Sequence, residues 1–87
     1  MGNLKAQLKI RTVISEYRSE HKITQQSLAD EVGVTRATII SIEKGKYNPS
    51  LELAFRIARF FNKNIQDLFF VEDENELNGR VQISQSK

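Results

Sequence analysis

The sequence predicts an all-α fold, with five short helices over residues 1–70 and an acidic tail over residues 71–87. Three observations predict it. Apolar residues recur at helical spacing through most of the first 70 positions. Thr24, Thr35, Ser50 and Asn64, all good helix N-caps, each stand directly before such a stretch. Gly33 separates the second and third stretches at a point where only a tight turn fits.

Each element has its own reason. Ile10, Val13, Ile14 and Tyr17, interleaved with Lys9, Arg11, Glu16 and Arg18, predict a first amphipathic helix over about 5–20. Thr24 caps a second helix, which buries Leu28, Ala29 and Val32 and stops at Gly33. Thr35 caps a third, with Ile39 and Ile42 inward and Gly45 at its end. Pro49 has no amide hydrogen and holds Asn48 out of the helical region, so Lys46–Asn48 is a break. Ser50 caps a fourth helix, whose predicted apolar face is Leu51, Ala54, Phe55, Ile57, Ala58 and Phe61. Asn64 caps a fifth, Ile65 to Phe70, with Asp67 at its positive end. Beyond Phe70 the apolar residues are too few for a core, and the segment reads as a mobile tail with a faint strand signal at Arg80–Ser84.

Composition narrows the function classes. The chain of 87 residues has room for one modest core, and its net charge of +2 divides unevenly. Residues 1–70 hold 11 Lys/Arg against 7 Asp/Glu, whereas residues 71–87 hold 2 against 4. A basic body suits a polyanion, but an excess this small is common in proteins that never meet one, so the pattern must carry the argument. With no cysteine there is no disulfide or thiolate zinc site, and His21, the single histidine, has no partner at metal-ligand spacing. No metal or cofactor is expected. The N-terminal residues lack an apolar run long enough for a signal or membrane span, so a cytoplasmic protein without membrane contact is expected. The carboxylate groups Asp30-Glu31 and Glu72-Asp73-Glu74 accompany no convergent nucleophile and no glycine-rich phosphate loop, and no enzyme is expected.

The informative stretch is Thr24 to Gly45, TQQSLADEVGVTRATIISIEKG. Two helices that cross steeply over a turn of three or four residues need a small side chain at Ala29 and a permissive backbone at Gly33. The opposite face of the third helix, with Arg36, Ala37, Ile40, Ser41 and Lys44, is left free to enter a groove. From Ile14 to Phe69 the chain resembles the phage Cro/repressor type of helix-turn-helix, the XRE family. The resemblance runs through Tyr17-Arg18, Ile23-Thr24-Gln25, Leu28-Ala29, Val32-Gly33-Val34, Ile42-Glu43-Lys44-Gly45, Tyr47-Asn48-Pro49-Ser50 and Leu68-Phe69. One departure is Lys22, where relatives often place glycine or asparagine.

The resemblance implies a five-helix, phage-repressor-like domain that regulates transcription in a bacterium or phage, acting on double-stranded DNA in the nucleoid. A palindromic operator bound by a homodimer is expected, because one recognition helix covers too few base pairs alone. Over about 36–44, Arg36, Ala37 and Ser41 fall at base-reading positions, with Ile40 divided between a thymine methyl and the protein's own packing. Gln25, Thr35, Lys44, Lys46, Tyr47 and Asn48 fall at phosphate positions. Arg18 and Glu43 match a pair that ties the first helix to the end of the third. The fifth helix and Phe69-Phe70 are the expected dimer contact. An alternative from another class is an antitoxin or protein-interaction module, in which the tail folds onto a protein partner and DNA binding is secondary.

Overall fold

A computed structural model describes residues 8–72. Its elements run β1 (Lys9–Thr12), α1 (Ile14–Glu20), α2 (Gln25–Val32), α3 (Arg36–Glu43), α4 (Leu51–Phe61), α5 (Ile65–Leu68) and β2 (Phe69–Glu72). Five helices surround one core, and the two strands close a small antiparallel sheet where the ends of the described chain meet. The faint strand signal at 80–84 and the rest of the tail beyond Glu72 lie outside the described residues.

The sheet corrects the expected first helix. Helix begins only at Ile14, and Lys9–Thr12 pairs with β2 in the register Lys9 with Glu72, Ile10 with Val71, Arg11 with Phe70 and Thr12 with Phe69. Lys9-Ile10-Arg11-Thr12 fits a period of two as well as one of 3.6, with Lys9 and Arg11 exposed and Ile10 and Thr12 half-buried. A partner more than fifty residues away decides between them. The Thr12 hydroxyl donates to the Leu68 carbonyl at 2.7 Å and accepts the Ile14 amide at 3.2 Å, locking the strand to the start of α1. The Val13 amide donates to the same Leu68 carbonyl at 3.1 Å. For the same reason α5 stops at Leu68, where Phe69 enters β2.

The core is built by Ile14, Leu28, Ala29, Val32, Ile39, Ile42, Leu53, Ile57, Ala58, Phe61 and Leu68, all buried, with Val13, Tyr17, Val34, Phe60 and Phe69 packed around it. In α4 the buried face is Leu53, Ala54, Ile57, Ala58 and Phe61, whereas Leu51 and Phe55, expected inside, are 69% and 50% exposed. Leu53, Ile57 and Phe61 succeed one another at i, i+4 and i+8, and this row sets the face that meets the core. Phe55 falls well outside it.

Local chemistry sets the ends of the helices. Thr24, Thr35 and Ser50 side chains accept the amides of Ser27, Thr38 and Leu53, as N-caps do. At Asn64 the bond runs the other way, with the Asp67 carboxylate accepting the Asn64 amide at 3.1 Å. Four helices end on a residue in left-handed backbone: Lys22, Gly33, Gly45 and Asn62, with φ of 57°, 81°, 74° and 58°. At Gly33 nothing lies within 4 Å of where a Cβ would sit, so the turn needs glycine for its dihedral angle and not for space. Lys22 occupies the same conformation at the end of α1, where the Ile23 amide reaches back to the Arg18 carbonyl at 2.9 Å. This is why glycine or asparagine suits that position.

Candidate nucleic-acid interface

Helices α2 and α3 form the helix-turn-helix, hinged at Gly33. Ala29 is fully buried at their crossing, and Val34, half-buried in the turn, has its amide bonded to the Ala29 carbonyl at 3.0 Å. With Ile39 and Ile42 sunk in the core, the opposite side of α3 faces solvent. Arg36 and Ala37 are exposed and Ile40 and Ser41 half-buried, so the residues expected to read bases lie on the accessible side of one helix. Ile40 keeps part of its side chain against the protein.

A network behind this face fixes its orientation. Arg18 Nε donates to Glu43 Oε2 at 2.8 Å and Arg18 Nη2 to Glu43 Oε1 at 3.2 Å, a two-pronged pair between α1 and the end of α3. Arg18 Nη1 also donates to the Ile23 carbonyl at 2.9 Å, just ahead of α2. The two side chains are only 17% and 9% exposed, so the contact is shielded from water and its geometry matters more than at a surface pair. Gln25 Nε2 adds a third bond, to Glu43 Oε1 at 3.0 Å. The carboxylate thereby joins the end of α3 to α1 and to the first residue of α2. Gln25, expected at a phosphate, uses one side-chain hydrogen inside the protein and keeps the other, together with its backbone amide at the start of α2.

Thr35 holds the opposite end of α3. Its hydroxyl accepts the Thr38 amide at 3.3 Å and shares a 3.1 Å bond with the Thr38 hydroxyl. After α3 the chain turns at Gly45, where the Lys46 amide bonds back to the Ser41 carbonyl at 2.9 Å and fixes the loop against the helix. Lys44, Lys46, Tyr47 and Asn48 are all exposed along this loop. Tyr47 joins Ala37, Thr38 and Ser41 around one shallow concavity of about 260 Å³, bringing an expected phosphate residue to the edge of the expected base-reading face. Thr38 is the residue that sequence reasoning missed. Its place three residues before Ser41 is the signal that puts it on the same side of the helix.

A family model described as helix-turn-helix matches residues 14–68, from the first residue of α1 to the last of α5. The chain belongs to the XRE helix-turn-helix family. It is 57% identical over 65 residues to an uncharacterised HTH-type transcriptional regulator of Archaeoglobus fulgidus, covering 75% of this chain and 93% of that protein. It is 31% identical over 62 residues to RstR, the cryptic phage CTXphi transcriptional repressor of Vibrio cholerae, covering 71% of this chain and 56% of that one. Among solved structures, a transcriptional regulator from Listeria innocua shares the fold at a TM-score of 0.62 and 23% identity, over 83% of this chain and 69% of that one. This is an HTH-type transcriptional regulator, a DNA-binding family. Neither strand of the sheet falls inside the family match. No described helix is long and apolar enough to cross a membrane.

Proposed function

We propose that this regulator is a sequence-specific repressor that binds a palindromic operator as a homodimer, with α3 in the major groove and the cytoplasmic nucleoid as its place of action. The observation that carries the reading is the exposed side of α3, held in one orientation by the Arg18–Glu43–Gln25 network and continuous with the Lys44–Asn48 loop. Arg36 opens the helix at the end that points to base edges, where a bidentate pair with guanine contributes about 1–3 kcal/mol of discrimination. Ala37 packs on a thymine methyl, Ser41 bonds a base edge and Ile40 borders them. Gln25, Thr35, Lys44, Lys46, Tyr47 and Asn48 hold phosphates on either side, and the start of α2 offers the positive end of its dipole. The name of the phage relative supports repression as the sign of regulation.

Dimerisation follows from affinity. One α3 reads only a few base pairs, and two half-sites about 34–36 Å apart supply the rest. Phe70 and Val71, at 39% and 46% exposed beside α5, are apolar surface suited to the dimer contact. Selection of bound fragments from random duplex DNA tests the reading as a whole. The expected result is an enriched site with two-fold symmetry, with a dimer in sedimentation at the same protein concentration. Recovery of unrelated fragments contradicts sequence-specific binding, and a monomer bound tightly to one half-site contradicts the dimer.

A further inference from the structure

The strand that replaces the expected start of the first helix puts new residues beside the recognition face. On a helix continuous with α1, Lys9 would stand out along that helix's axis. Paired with β2, it instead lies next to the loop after α3: Leu8, Lys9 and Ile10 line one side of a groove of about 290 Å³, and Gly45, Lys46 and Asn48 line the other. Two lysines and an asparagine thus border one groove, and among the described residues no carboxylate lines it. Like charges placed together on a surface repel, and a polyanion laid along them relieves the repulsion. The other side of β1 is different. There a second groove, which Lys9 also lines beside its cross-strand partner Glu72, brings Arg11 and Lys44 together with Glu16, Glu43 and Glu72, and Arg11 lies 4.0 Å from Glu72.

The backbone of the Lys9–Lys46 groove is held on both walls. One wall is pinned by the β1–β2 ladder and by the Thr12 bond to Leu68, the other by the Lys46 amide bond to Ser41 and the left-handed Gly45. The groove is continuous with the loop that carries the proposed phosphate contacts, and its β1 wall lies outside the residues matched by the family model. We infer that β1 is a further DNA-backbone element, in which Lys9 takes the phosphate next to the one held by Lys46. This rests on the DNA-binding reading above and extends the contact surface from the helix-turn-helix onto the sheet. Lys9 adds affinity for duplex DNA of any sequence and none for a particular base, because it meets phosphate alone.

The test is the salt dependence of binding to a mixed-sequence duplex of about 30 base pairs, followed by fluorescence anisotropy for the full chain and for Lys9→Gln, Lys9→Arg and Lys63→Gln. Lys63 stands over the Tyr17 ring at the end of α4 and serves as a charge-matched control. Each phosphate neutralised contributes about 0.9 to the slope of log K against log salt. For each bound protomer, Lys9→Gln is therefore expected to lower the slope by about 0.9 and to weaken binding roughly eightfold at about 0.1 M salt. Lys9→Arg and Lys63→Gln are expected to keep the wild-type slope. An unchanged slope for Lys9→Gln overturns the inference while leaving the DNA-binding reading intact, and so does a loss of affinity without a change of slope. An equal loss of slope in Lys63→Gln overturns it too, by showing an effect of net charge and not of place. A wild-type chain with no salt-dependent binding overturns both readings.

Discussion

The helix-turn-helix and the terminal sheet are built from opposite kinds of information. Between Thr24 and Gly45 every decision is local: a cap three residues from the amide it serves, a glycine in left-handed backbone, apolar residues one turn apart. The sheet depends on Lys9–Thr12 meeting Phe69–Glu72 across almost the whole described chain. Neither strand has a periodicity that excludes a helix, and only contact between them selects the extended form. The unit that meets DNA is thus specified by its own residues, while its surroundings are specified by tertiary contact.

Three substitutions test this contrast, and unfolding by urea or heat measures each. Glu43→Ala has the largest expected effect, about 2–3 kcal/mol of lost stability, because it strands the shielded Arg18 charge and releases Gln25 together. A loss below about 0.5 kcal/mol would show that the network is ornamental to folding. Thr12→Val keeps the shape of the side chain but removes its bonds to Leu68 and Ile14, and should cost about 1 kcal/mol. DNA affinity should fall with it only if β1 belongs to the interface. Lys22→Gly has the smallest effect and the opposite sign, a gain of about 0.5 kcal/mol. Relief of left-handed backbone at φ 57° outweighs the extra freedom that glycine brings to the unfolded chain. Lost stability here would mean that the strain at Lys22 is already offset by its contacts.

How much was legible follows the same division. The four cap positions, the turn at Gly33, the Arg18–Glu43 pair and the inward residues Leu28, Val32, Ile39 and Ile42 all emerge from spacing or from the family resemblance. Leu51 and Phe55 were misplaced because hydrophobicity alone does not say which apolar residues of a helix meet a neighbour. Leu53, Ile57 and Phe61 form the row that does. At the interface, the open side of α3 was legible but Thr38 was not, since its exposure depends on the Thr35 hydroxyl and on where Tyr47 comes to rest. The approach of Lys9 to Lys46 was illegible for a plainer reason. It exists only once the strand has formed.

In the proposed complex α3 reads bases while the loop after it holds phosphates. The decisive measurement compares Arg36→Ala and Lys46→Ala on the selected site, its single-base variants and mixed-sequence duplex at one salt concentration. Arg36→Ala should lose about 1–3 kcal/mol on the selected site, little on mixed sequence, and its preference at one base pair, whereas Lys46→Ala should weaken every duplex alike. Equal losses on all duplexes for both variants, with base preference intact in Arg36→Ala, would contradict the account.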